Sequence, residues 1–290
     1  MNAATPRDRQ LEILTPHGFT RMQYLEWGEP DNPRVLVCVH GLTRNGRDFD
    51  AMAEELASDF RIVCPDMPGR GRSEWLRDPG DYVFPVYLGA LAALLARVDA
   101  GWLAWLGTSM GGLLGIVLAA QPSTPLRALV VNDVGPEIQP GALERIGQYV
   151  GADPVFDSFE ALEAHIRAIS APFGPLTDAQ WRFMSETTAR QLPDGRWKLR
   201  YDPGIAVPFR GATDQSALLW QLWDAIRCPT LLVHGAQSDL LSADTARRMT
   251  ERGPRPRLVE FADVGHAPMF LDAAQIAPVA AFLRGRVGQL

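Results

Sequence analysis

The sequence predicts a doubly wound α/β domain: a mostly parallel, eight-stranded sheet covered by helices on both faces, with a helical cap inserted into it. Three observations predict this. Short apolar runs alternate with segments of helical periodicity from about residue 35 to residue 133, the pattern of strands joined by crossover helices. The stretch "AGWLAWLGTSMGGLLGIVLAA", Ala100 to Ala120, holds no charged side chain and sets Ser109 between glycines at its centre. The strand pattern then disappears after about Gly135 and resumes near Pro229.

The elements follow in order. "LEILT" and "TRMQYLEWG", separated by Pro16-His17-Gly18, form a β-hairpin. "VLVCVH" is a third strand, followed by a helix that places Phe49, Met52, Ala53 and Leu56 on one face. "FRIVCPD" is the fourth strand, and Leu88, Leu91, Ala92, Leu95 and Val98 set the face of a helix from about Tyr82 to Val98. In the uncharged stretch, "WLAWL" suits a strand buried on both faces and "LLGIVLAA" a buried helix ended by Gln121-Pro122. Its length would also span a bilayer. Gly107, Gly111 and Gly112 around Ser109 favour instead a sharp strand-to-helix turn.

"LRALVVND" is the sixth strand. Helices then take over, with Leu143, Ile146 and Val150 on one face and Phe159, Leu162, Ile166 and Ile169 on another. Asp157 with Glu160, and Thr177 with Gln180, have capping-box spacing. Strands resume with "PTLLVHG" and "PRLVEFAD", joined by a helix near Ala243–Arg252, and "MFLDAAQIAPVAAFL" closes the chain. The expected organisation is one core, residues 1–134 and 214–290, with a cap at 135–213.

Composition narrows the function. With 47% hydrophobic residues, the 290-residue chain can bury a large core. A net charge of −6 without any Lys/Arg cluster argues against nucleic acid as a partner. Cys38, Cys64 and Cys228 are odd in number and widely spaced, which reads as buried thiols and not as a disulfide framework or a zinc site. The start, "MNAATPRDRQLEIL", carries charges where a signal peptide has an apolar segment. The expectation is a cytoplasmic protein acting on a small molecule with an apolar portion, needing no metal or other cofactor and no membrane.

A lone hydroxyl is a weak nucleophile and needs a base within hydrogen-bond reach, itself held by a third group. Ligands of an open parallel sheet gather beyond the carboxyl ends of its strands. Ser109, Asp239 in "VHGAQSDLL" and His266 in "ADVGHAPMF" each follow such an end, in the chain order Ser, Asp, His. Asp133, directly after the sixth strand, and Asp263, at the end of the eighth, are alternative positions for the acid. His40 precedes Gly41 and reads as a support for the loop backbone, while His17 and His165 read as solvated.

Five segments in one order, "HGLTRN", "PDMPGRGRS", "GTSMGG", "HGAQSD" and "GHAPMF", make the sequence resemble the α/β-hydrolases over nearly the whole chain outside the cap. The resemblance implies a Ser109–His266–Asp239 triad and an oxyanion hole from the backbone N–H groups of Leu42 and Met110. It implies carboxylic ester hydrolysis through an acyl-enzyme, because position 109 is serine where dehalogenases and epoxide hydrolases of this fold carry aspartate. "GTSMGG" is also similar to the motif of hydrolases that cleave carbon–carbon bonds in vinylogous diketones, which usually have a tryptophan soon after the histidine, where this chain has Ala267-Pro268-Met269. Lactonase or perhydrolase activity would use the same triad, and a ligand receptor of the same fold is the non-enzymatic alternative. Arg44, Trp181 and Phe209 are candidates for the substrate pocket, Arg44 as a partner for a carboxylate.

Overall fold

The computed structural model describes residues 5–211 and 214–287. Eight strands make one sheet: β1 (Arg7–Thr15), β2 (Gly18–Trp27), β3 (Arg34–Val39), β4 (Arg61–Pro65), β5 (Trp102–Thr108), β6 (Leu126–Asn132), β9 (Thr230–Gly235) and β10 (Arg257–Phe261). Their spatial order is β1-β2-β4-β3-β5-β6-β9-β10. Only the β1–β2 and β2–β4 pairings are antiparallel. The remainder is parallel.

The central strands show why their sequences are apolar without interruption. In β3, Val35, Val37 and Val39 join one hydrophobic cluster while Leu36 and Cys38 join another. In β5, Leu103 and Trp105 face the first and Trp102, Ala104 and Leu106 the second. Side chains alternate across a strand, so a sheet covered on both sides needs both parities apolar. Helices α1 (Asp50–Leu56) and α10 (Ala273–Arg284) cover one face. The opposite face is covered by α2 (Phe84–Val98), α3 (Met110–Ala119) and α8 (Ser216–Ala225). The uncharged stretch is thus β5 and α3, and no described helix is long and apolar enough to cross a membrane.

Between β6 and β9 the chain inserts α4 (Pro140–Tyr149), α5 (Phe159–Ile169), α6 (Asp178–Thr188) and the short α7 (Ala206–Arg210). Two sequence expectations change here. The insertion also holds an antiparallel ribbon, β7 (Ala189–Gln191) with β8 (Trp197–Leu199), around a turn at Asp194-Gly195. Three-residue strands are too short to show a period. The cap of α5 is Ser158, which accepts from the Ala161 N–H at 3.1 Å, and not Asp157 with Glu160. The Thr177–Gln180 capping box does form. The expected end of the insertion, Thr213, lies outside the described residues. Helix α9 (Ala243–Glu251) joins β9 to β10.

Candidate active site

Ser109 occupies the turn from β5 into α3 with φ 52° and ψ −116°. That conformation is costly for a residue with a side chain, and close backbone packing around it holds it in place. A methyl group on Gly107 would lie 2.1 Å from the Gly111 carbonyl oxygen, and one on Gly111 2.0 Å from the Val39 carbonyl oxygen. Neither position admits a Cβ, so the glycines that bracket the serine are a packing requirement of the turn.

His266, on the loop after β10, reaches back to this turn. Its Nε2 lies 3.0 Å from Ser109 Oγ and its Nδ1 2.8 Å from Asp133 Oδ2. Asp133 is fully buried. Its Oδ1 accepts the Gly235 N–H at 2.9 Å and its Oδ2 the Ser238 hydroxyl at 2.7 Å. A carboxylate can only accept here, so Nδ1 of His266 donates, and Nε2 is left as the acceptor facing the Ser109 hydroxyl. Asn132 Nδ2 donates to the Pro268 carbonyl at 2.8 Å and to Thr108 Oγ1 at 3.0 Å, tying the histidine loop to the ends of β5 and β6.

The expectation for Asp239 is therefore corrected. Its carboxylate turns outward and takes two hydrogen bonds from Arg145 of α4, at 2.6 and 2.9 Å, while Asp133 holds the imidazole. Two local features decide this. Asp133 directly follows β6 with φ 53°, which turns its side chain under His266. After β9, the residue directed at the site is Ser238, which donates to Asp133. Asp263 is exposed.

Gly41 passes so close to the serine that a methyl group on it would touch Ser109 Cβ at 3.6 Å, bringing the Gly41–Leu42 backbone beside Ser109, which is followed directly by Met110, the first residue of α3. His40 fixes that loop as a wholly buried link. Nε2 accepts the Met67 N–H at 2.9 Å and Nδ1 donates to the Gly41 carbonyl at 2.7 Å. Burial pushes its pKa down to about 3, so the ring is neutral, as both bonds require. His17 is exposed beside Asp81, and His234 spans Glu260 and the Leu241 carbonyl. Among the described residues no cluster of His, Cys, Asp and Glu could hold a metal ion, and all three cysteines are free and buried.

A pocket opens over Ser109 and His266, and the insertion supplies much of its wall. Ile146, Ile166, Ile169 and Phe173 give it an apolar side, and Arg145, Tyr149 and Tyr201 a polar one. Arg44 lines it as expected, but its guanidinium is already engaged, by Asp48 at 2.5–3.2 Å and by Thr188 Oγ1 at 3.0 Å. Trp181 and Phe209 do not line it. Trp181 packs within the core under the Arg167 guanidinium, and Phe209 lies against Gly147. Tryptophan and phenylalanine at helical spacing serve core and pocket equally well, and the sequence carries no signal that separates the two. Arg145 and Tyr149, which it did not single out, are four residues apart on one face of α4, a spacing that could have pointed to them.

Residues 34–273 match a family model described as the α/β hydrolase fold. The chain is 49% identical to a 3-hydroxybutyrate-oligomer hydrolase of Cupriavidus necator, over 98% of this chain and 99% of that protein. It is 28% identical to an esterase of Mycobacterium tuberculosis, over 84% of this chain and 79% of the other. An α/β hydrolase crystal structure from Novosphingobium aromaticivorans superposes with a TM-score of 0.87 at 38% identity, covering 97% of this chain and 99% of that one.

Proposed function

The chain belongs to the α/β-hydrolase family, and from that premise we propose that it is a serine hydrolase of carboxylic esters whose catalytic groups are Ser109, His266 and Asp133. One observation carries the reading: the two nitrogens of a single imidazole bridge the Ser109 hydroxyl and a buried carboxylate.

In the proposed reaction, Ser109 Oγ attacks the ester carbonyl while Nε2 of His266 takes its proton, and Asp133 stabilises the imidazolium through Nδ1. The carbonyl oxygen becomes an oxyanion between the N–H groups of Leu42 and Met110; in other enzymes one such donor is worth about 3–4 kcal/mol. The tetrahedral intermediate collapses, the alkoxide leaves with the proton from His266, and Ser109 is left acylated. Water then attacks the acyl carbon, giving a proton to Nε2, and as this second tetrahedral intermediate collapses His266 returns the proton to Ser109 Oγ and the carboxylic acid is released. The described part of the insertion between β6 and α8 acts as the cap that shapes the pocket, and the apolar side of the pocket suits a short aliphatic acyl chain.

The full-length 49% relative supports a finer reading, in which the esters are short oligomers of 3-hydroxybutyrate. Three buried free thiols support action in a reducing cytoplasm. The test is turnover of p-nitrophenyl butyrate and of 3-hydroxybutyrate dimer and trimer by purified protein, with Ser109→Ala as control. Hydrolysis lost in the variant supports the reading. Tight binding of these esters with no turnover would replace it with a ligand receptor, and cleavage of diketones in preference to esters would move it to carbon–carbon hydrolysis.

A further inference from the structure

Arg70, in "PDMPGRGRS", is wholly buried. Its Nε donates to the Leu42 carbonyl at 2.9 Å, and Nη1 donates to the Pro68 carbonyl and the Tyr87 hydroxyl, each at 2.7 Å. Its Nη2 lies 3.8 Å from Met110 Sδ. The rings of Tyr82 and Tyr87 stand 5.4 and 5.0 Å from its central carbon. Among the described residues no carboxylate comes within ion-pair distance of this guanidinium. The Tyr82 hydroxyl donates to buried Asp202 at 2.5 Å, so that carboxylate is held by the tyrosine.

An arginine that is buried without a direct ion-pair partner is expensive for a fold, and an apolar side chain of similar volume would cost less. Its position gives the reason. The protein groups it meets include both residues assigned above to the oxyanion hole: the carbonyl of Leu42 and the side chain of Met110. Fixed positive charge near developing negative charge lowers a barrier most where water is excluded, because nothing has to reorient during the reaction.

We propose that Arg70 is a positioning residue for acyl transfer, pinning the Leu42 turn and holding a buried cation, with no carboxylate in direct contact, beside the two oxyanion donors. The proposal rests on Ser109 being the nucleophile. It assigns the buried cation a part in the chemistry beyond that of filling the core.

The experiment compares wild type, Arg70→Met and Arg70→Lys by kcat and KM on p-nitrophenyl butyrate, by the inhibition constant of an alkyl trifluoromethyl ketone, and by thermal melting. The ketone adds to the serine and places a full oxyanion in the hole. Expected for Arg70→Met is a kcat lower by roughly 10- to 100-fold with KM changed less than about threefold, and ketone affinity reduced in step with kcat. Arg70→Lys, which retains a cation and loses the bond to Leu42, should fall between the two, and it carries the comparison if the Met variant does not fold. A folded variant with wild-type kcat would overturn the proposal. So would a loss of kcat with ketone affinity unchanged, since the loss would then lie outside the oxyanion site. Wild-type turnover that survives Ser109→Ala would instead overturn the reading of the site itself.

Discussion

Asp133 accepts the Ser238 hydroxyl at 2.7 Å on the same oxygen that meets His266. The loop after β9 therefore contributes a donor to the carboxylate proposed as the triad acid, which itself comes from the end of β6. Asp133→Asn should lower kcat by about 10³- to 10⁴-fold, because an amide in that place favours the wrong imidazole tautomer. Asp239→Asn should change kcat less than about fivefold, since Asp239 is bonded to Arg145 at the pocket's outer wall. Steady-state kinetics on one ester settles both; a dead Asp239→Asn beside an active Asp133→Asn would reverse the assignment.

The order of the eight sheet strands and of the helices that connect them outside the insertion and α8 was legible because each central strand is buried on both faces and each connecting helix has an amphipathic or wholly apolar stripe. The meeting of Ser109 with His266 was legible because the turn that holds the serine needs glycines at fixed places and the histidine follows the last strand. The carboxylate on the far side of the imidazole was not. Asp133 and Asp239 both follow strand ends, and the choice depends on which way a single residue turns, here Asp133 at φ 53°. The pocket was less legible still: Trp181 and Phe209 went to packing, while Arg145 and Tyr149 came to the wall through the orientation of α4, which tertiary contacts set.

Arg44 and Asp48 form an ion pair with side chains about one-tenth exposed. Removing one partner of such a pair leaves a buried charge unmatched, which costs about 3–5 kcal/mol. Arg44→Met should therefore destabilise the protein by that order, and Arg44→Met with Asp48→Leu should recover most of the loss. Denaturant melts of the two single variants and the double variant measure the coupling. Additive losses would show that the pair is not coupled.

Gly111 tests how tightly the serine turn is packed. Its Cβ position is 2.0 Å from the Val39 carbonyl oxygen, in the middle of the sheet, where neither strand nor helix can move cheaply. Gly111→Ala should either fail to accumulate as folded protein or lose at least about 3 kcal/mol of stability and nearly all activity. Gly141→Ala is the control, because nothing lies within 4 Å of a Cβ there. An active Gly111→Ala with an unshifted melting temperature would contradict the account of the turn.

Asp50, the first residue of α1, gives a pH dependence away from the site. Burial pushes its carboxyl up to about 6 against an ordinary 3.8, despite the Arg47 guanidinium bonded to it at 2.5 Å, and its other oxygen is buried without a partner. Between pH 3.8 and 6 the folded protein keeps a proton there that the unfolded chain gives up, so this residue's contribution to stability falls as pH rises through that window and stays low above it. His40 works in the opposite sense. Its folded pKa is depressed to about 3, so its contribution is complete above the unfolded value of 6.5 and is lost progressively as pH falls towards 3. The two overlap in wild type, but His40 is common to wild type and Asp50→Asn and cancels in their difference. The stability of Asp50→Asn relative to wild type should therefore rise from pH 4 to pH 7 by on the order of 1–3 kcal/mol and level off above that. Thermal melts of both proteins across that range measure it, and a difference that is flat or falls with pH would show that the Asp50 carboxyl titrates as it would in water.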